Sequence, residues 1–145
     1  MKIRILENPD LEEDIIIEYR ELTPEIESMI QKLQSQEILV EERGNEHAID
    51  LNRILFFETE VDNVYAHTQQ KSYRTKYRLY ELEALLPNNF MRISKSTIVN
   101  TQHIASIERN LTSSRCIQFF DTHKVSYVSR MYFSLLKKKL DERSL

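Results

Sequence analysis

The chain predicts a mainly β domain, α+β overall, built of antiparallel sheets with short helices and preceded by a small N-terminal β/α extension. Three observations lead there. From Glu37 onward apolar residues recur with a period of two in short runs, the pattern of half-buried strands. Three stretches, after Thr23, after Arg78 and after Ser129, change to the period of an amphipathic helix. Polar connections with turn-forming residues separate the runs, so neighbouring strands read as antiparallel.

The extension spans residues 1–36. "KIRIL" (2–6) alternates as a short strand and "DIIIEYREL" (14–22) reads as a second, with the turn signals of "ENPDLEE" between them. Thr23 then fits an N-cap, with Pro24 in the first helical position, where its missing N–H costs nothing. Ile26, Met29, Ile30 and Leu33 come next at helical spacing, predicting a helix over 24–35 with one apolar stripe. Such a unit is too small to be stable alone, so it is expected to pack on the larger C-terminal domain or to serve as a dimer contact.

The main domain is expected over 37–145. "EILVEERGNEHAIDL" predicts a hairpin, with Gly44, the only glycine of the chain, at the turn beside Asn45. "RILFFETE", "NVYAHTQQ" and "SYRTKYRL" continue as three short strands. "LYELEALLP" places Leu79, Leu82, Leu85 and Leu86 on one helical face and stops at Pro87. Then "FMRI", "TQHIASIERN", "RCIQFF" and "KVSYV" read as strands, with turns near Thr112–Ser114 and Asp121–Thr122. Ser129 is the expected N-cap of a last helix that buries Tyr132, Phe133, Leu136 and Leu140, with Lys137, Lys138 and Lys139 near its C-terminus favouring the macrodipole.

Composition excludes several classes. No apolar run approaches the roughly 20 residues of a membrane-spanning helix, and "MKIRILENPDLEED" has no signal-peptide core, so a cytoplasmic protein is expected. Cys116 has no second cysteine to bond and lies in the apolar "CIQFF", as a buried structural thiol would. His47, His67, His103 and His123 show no paired ligand spacing of the kind zinc sites use, and one glycine leaves no material for a phosphate loop. No serine sits in a nucleophile elbow and Cys116 has no adjacent base, so neither an enzyme nor a cofactor is expected. The acidic cluster Asp10, Glu12, Glu13 and Asp14 lacks the aspartate, threonine and lysine layout of a phosphorylated receiver and reads as a solvated loop.

A net charge of -3 conceals a strong asymmetry: residues 1–70 carry net minus 11 and residues 71–145 net plus 8. A polyanion would therefore dock on the C-terminal half, because counterion release depends on the local patch. Within that half the apolar alternation of "FMRISKSTIVNTQHIASIERN" (90–110) is broken by Ser94, Lys95, Ser96 and Thr97. Hydroxyls and a lysine on a loop anchored at both ends by apolar residues can reach phosphates and base edges at small ordering cost. Ser129–Arg130 offers a second such place, where a helix N-terminus adds free N–H groups and arginine a bidentate donor.

These segments, with "ILFFET" and "YRLYELEALLP" upstream and "IQFFDTHKVSYVSRMYFSLLKKKL" downstream, resemble the LytTR DNA-binding domain of bacterial transcription regulators over about Glu37 to Leu140. The most specific part is the F-x-R-I-x-x-S-x-I-V-N core, Phe90 to Asn100, with V-S-R before the last helix. The resemblance implies a sequence-specific, double-stranded DNA-binding regulator whose loops enter successive major grooves. It places the DNA-reading position, commonly His or Asn, on Lys95, flanked by Ser94 and Ser96. It matches the arginine before the last helix to Arg130, and Arg92 to a position that touches phosphate. A third contact falls near Asp62–Asn63, where the acidic residue departs from the family and Asn63 is the candidate. Asn100 matches a family asparagine but reads as a buried turn-former.

The resemblance also implies a response-regulator-like protein in which the extension stands in place of the usual receiver. A homodimer is expected, and a small membrane-bound inhibitor protein is the family-level partner. Two rivals rest on other residues. One is a protein-interaction module that docks a basic partner on the acidic N-terminal half. The other is a single-strand or RNA binder stacking bases on Tyr65, Tyr73 and Tyr77, for which a core or rim role is the plainer account. Lys71, Arg74, Lys76 and Arg78 read equally as a solvated face or as a phosphate track.

Overall fold

The computed structural model describes residues 1–34, 36–109 and 115–143. The chain divides into two units, Met1–Gln34 and Ser35–Leu145.

In the first unit one helix forms, α1 (Pro24–Gln34). Thr23 caps it, its Oγ1 accepting the Ile26 N–H at 3.2 Å while its carbonyl accepts from Glu27 at 2.9 Å. The expected strands at 2–6 and 14–22 do not form, and residues 1–23 enter no ladder. Strand-like alternation supplies a face but no partner, and a strand without one leaves its backbone groups to water. The turn between the two segments does form, around Asn8, whose Oδ1 accepts the Asp10 N–H at 3.1 Å.

The second unit is mainly β. β1 (Glu37–Glu42) and β2 (Asn45–Asp50) form the expected hairpin, closed by Arg43 and Gly44, both at positive φ as a two-residue turn of this kind requires. β3 (Phe56–Glu60), β4 (Asn63–His67) and β5 (Ser72–Thr75) succeed it. Then come α2 (Leu79–Leu85), β6 (Phe90–Arg92) and β7 (Thr97–Asn100). These strands make one antiparallel sheet in the order β2-β1-β5-β4-β3-β7-β6. β8 (Ile104–Arg109), β9 (Arg115–Phe119) and β10 (Val125–Val128) make a second, ordered β10-β9-β8, and α3 (Arg130–Arg143) comes last.

The larger sheet separates two cores. Phe57 and Ile98 pair across β3 and β7 and face a cluster with Ile54, Val64, Leu82 and Phe90. Their neighbours Phe56 and Val99 pair on the opposite face, in a cluster with Ile93, Ile117, Phe119 and Leu136. Adjacent apolar residues on one strand point to opposite faces, so these pairs commit β3 and β7 to burial on both sides.

Three local expectations change. Leu85 is 63% exposed, because at about 100° per residue it turns away from Leu79, Leu82 and Leu86. The strand read from 101 begins at Ile104, because Thr101–His103 is a 3-10 turn. Asn100 makes that turn: its Oδ1 accepts from Gln102 N at 3.1 Å and Asn89 Nδ2 at 3.0 Å, and its Nδ2 donates to Ile54 O at 3.0 Å. The turn read at Thr112–Ser114 lies outside the described residues, whereas that at Asp121–Thr122 is present, with Asp121 at positive φ.

Asn100 is fully buried, and its truncation removes three hydrogen bonds, one of them to the buried Ile54 carbonyl. Asn100→Ala is expected to lower stability by about 2–4 kcal/mol, read as a lower urea midpoint at unchanged slope.

Candidate nucleic-acid interface

The broken alternation at residues 93–97 is a loop fastened on every side. Ile93 is buried and its N–H bonds Thr97 O at 3.0 Å, closing the β6–β7 connection. Arg92 bends its guanidinium over the loop, Nε donating to Ser94 O at 2.8 Å and Nη2 to Lys95 O at 2.5 Å. Its Nη1 lies 3.4 Å from Glu83 Oε1 on α2. Ser94 Oγ accepts the Ser96 N–H at 3.2 Å, and Ser96 O accepts from Thr59 N at 2.8 Å. Lys95 is the one exposed side chain of the Ser94–Ser96 tip.

Two further segments meet this loop. The Thr59–Ser96 bond and the Glu58–Thr97 pairing bring the β3–β4 hairpin beside it, and that hairpin turns at Val61 and Asp62. Val61 is 93% exposed at φ 58°, a left-handed conformation that costs a residue with a Cβ roughly 1–2 kcal/mol. Asn63, half-buried, pairs with Glu60 at the base of the turn. On the other side Ser129 N donates to Ile93 O at 2.9 Å, which sets the first turn of α3, with exposed Arg130, against the loop. Asn63, Arg92, Ser94, Lys95, Ser96 and Arg130 thus lie on segments gathered at one end of the larger sheet.

Their roles there differ. Lys95 and Arg130 project cations with no carboxylate partner among the described residues. Arg92 is turned inward as a brace, at least three of its donors being directed to the loop carbonyls and Glu83. The Ser94 and Ser96 hydroxyls lie 3.4 Å apart and stabilise the tip. In the other basic stretch Lys71 pairs with Glu42 at 3.5 Å and Lys76 with Glu46 at 2.5 Å, while Arg74 and Arg78 are exposed. Tyr73 is buried, and Tyr77 packs against the first core, so neither presents a free stacking face.

Carboxylates also approach this end. Glu58 Oε1 lies 3.5 Å from Thr97 Oγ1, and partial burial, with Glu60 close by, raises its carboxyl above the usual range. His67, stacked on Phe56 with ring centroids 4.4 Å apart, links two charges. Its Nδ1 is 3.4 Å from Lys124 Nζ, and its Nε2 is 3.4 Å from Glu60 Oε1, close enough for electrostatic contact without the alignment of a full hydrogen bond. Burial first, then Lys124, lowers the His67 pKa.

Glu58, Glu60 and His67 bring one ligand atom each within 4.8 Å of one another. They fit a metal poorly. The Lys124 ammonium facing Nδ1 favours a proton on Nε2, the nitrogen a cation beside the two carboxylates would need. The arrangement is a polar chain from Lys124 through His67 to Glu60, and the inward Arg92 and this chain are the two features that the spacing of residues did not disclose. Glu83 and Lys124 join them only through the fold.

Residues 44–141 match the family model described as the LytTr DNA-binding domain. HTH-type transcriptional regulators named as uncharacterised in Staphylococcus aureus strains NCTC 8325 and COL are 36% identical over 94 residues, 65% of this chain and 63% of each relative. The chain thus matches less than two thirds of those proteins' length. Among solved structures, the LytTr DNA-binding domain of a protein described as a methyl-accepting/DNA response regulator from Bacillus cereus superposes with a TM-score of 0.65. That match has 25% identity and covers 72% of this chain and 95% of the other.

The local chemistry has two measurable outcomes. Arg92→Ala should speed amide exchange at residues 94–97 while costing the whole fold only about 1 kcal/mol, because the lost bonds are local and partly solvated. For pH, a histidine with a lowered folded pKa contributes stability that is complete above its ordinary value of 6.5 and is lost as pH falls below it. Glu58, with a raised pKa, acts in the opposite sense at lower pH. Urea midpoints measured between about pH 7.5 and 5.5 should therefore fall less steeply for His67→Gln than for the unaltered chain.

Proposed function

The chain belongs to the LytTR DNA-binding domain family, and from that premise we propose that it is a sequence-specific regulator of transcription that reads double-stranded DNA by inserting loops into the major groove. The observation that carries this reading is the fastened Ser94–Ser96 tip, with Lys95 exposed and Arg130 brought beside it by the Ser129–Ile93 bond. A loop already ordered by Arg92 loses little entropy on meeting DNA. Lys95 and Arg130 supply the donors that match guanine edges and phosphates, and the first-turn N–H groups of α3 add a second anion-facing element.

Glu58, Glu60 and Asp62 lie near the same end and repel phosphate. They hold down sequence-independent attraction, so that binding depends on contacts made at a matched site. Asn63 is placed to contribute beside the hairpin tip, and Arg92 acts by holding Lys95 in position.

A homodimer acting on two half-sites suits such a domain, and activity is then set by abundance, dimerisation or a partner. A small membrane protein is the family-level partner; co-purification from solubilised membranes that never recovers one would remove it. The rival reading, a protein-interaction module on the acidic N-terminal half, predicts capture of a basic protein and indifference to DNA sequence.

Selection from a random duplex pool at about 150 mM salt, where non-specific attraction is partly screened, should enrich short motifs spaced about one helical turn apart. Enrichment of nothing would favour the rival. On the selected duplex, Lys95→Ala and Arg130→Ala should each cost about 1–3 kcal/mol if they read bases. A contact to phosphate alone would instead weaken all sequences alike and reduce the salt slope by about one. Unchanged binding in both variants would remove these residues from the interface.

A further inference from the structure

The N-terminal unit, Met1–Gln34, has no core of its own: none of its described side chains is buried. Yet its residues ahead of α1 include Ile3, Ile5, Leu6, Ile15, Ile16 and Ile17, all exposed, with Ile5 90% exposed and Ile15 71%. Apolar side chains in that density on a free surface mark a place where another surface belongs. Both segments also have unused backbone groups along their lengths, since neither enters a ladder.

Their patterns match each other. Taken as strands, residues 2–6 put Lys2, Arg4 and Leu6 on one face and Ile3 and Ile5 on the other. Residues 14–19 put Asp14, Ile16 and Glu18 on one face and Ile15, Ile17 and Tyr19 on the other. Laid side by side, they join basic to acidic on one face and apolar to apolar on the opposite face. Within the chain the Asn8 turn separates them and no pairing is made.

We propose that a second copy of this chain makes the pairing, residues 2–6 of each copy lying beside residues 14–19 of the other. A two-fold dimer gives two such ladders, each pairing a basic strand with an acidic one, so the contact is self-complementary. An unrelated basic partner would satisfy the acidic strand but leave "KIRIL", itself basic and apolar, uncovered. A second copy covers both.

The test mixes two mass-tagged full-length chains, one carrying Ile5→Cys and the other Ile15→Cys, Ile16→Cys or Ile17→Cys, with mild oxidation and peptide mapping afterwards. Interchain disulfides from position 5 to positions 15 and 17, with little to 16, are expected, because only alternate residues share a face. Sedimentation of the unaltered chain should show a dimer, and Lys2→Glu with Arg4→Glu should weaken it by about tenfold or more. Mixing that variant with one carrying Asp14→Lys and Glu18→Arg should restore association. A monomer up to about 100 µM would overturn the proposal. So would a 5–17 disulfide formed only within one chain carrying both cysteines, or a dimer indifferent to the charge reversals. DNA selection is a separate measurement, so this proposal and the DNA reading can fail independently.

Discussion

Burial of β3 and β7 on both faces is the constraint on which the rest of the larger unit depends. Phe56 and Phe57 are consecutive, as are Ile98 and Val99, and each pair sends one side chain into each core. Fully burying side chains of this size contributes roughly 1.5–3 kcal/mol each, enough to fix the register between the two strands. Once Phe57 opposes Ile98, Thr97 opposes Glu58, and the loop ahead of Thr97 must emerge beside the β3–β4 hairpin. Asn100 completes the arrangement at the other end of β7, where its amide bonds replace a ladder that stops.

The same packing leaves Lys95 on the β6–β7 loop and Arg130 on the first turn of α3 as exposed cations at that end of the sheet. α3 spends its apolar side on the second core through Leu136, and Arg143 near its end donates to the Thr101 and Ile104 carbonyls at 2.6 and 2.8 Å. Its first turn, with exposed Arg130, lies against the loop through Ser129, while Ser134, Lys137 and Lys138 face solvent farther along. Arg115 over the Phe133 ring, 3.8 Å from the centroid, further ties the helix to the smaller sheet. Although the Staphylococcus relatives are named for a helix-turn-helix, strands separate the three described helices of this chain from one another.

Charge is distributed with the same economy. Lys71 and Lys76 are matched by Glu42 and Glu46, and Lys124 approaches His67 and the Lys71 carbonyl. Part of the basic surplus of the C-terminal half is thus offset locally, whereas Arg74, Arg78, Lys137 and Lys138 are exposed with no carboxylate partner among the described residues. Lys95 and Arg130 are two further such cations, at one end of the sheet. The acidic surplus of the other half begins in the N-terminal unit, where Glu12, Glu13, Asp14 and Glu18 flank a run of three isoleucines instead of covering a core.

Periodicity was sufficient for the mainly β class, for the β1–β2 hairpin with its glycine turn, and for the buried stripe of α3, because each depends on residues close in the chain. The same reasoning misassigned residues 2–6 and 14–22: alternation encodes a face, but a strand also needs an edge to bond, and no local pattern says whether one is available. It placed Leu85 in the core because leucine spacing alone does not resolve 100° steps near a helix end. Lys95 and Arg130 were legible as exposed cations in polar breaks. That Arg92 turns inward, that Glu83 holds it, and that Lys124 meets His67 were decided only by tertiary structure. Those contacts join residues far apart in sequence, and a side chain with several donors takes whichever acceptors the packed backbone brings within reach.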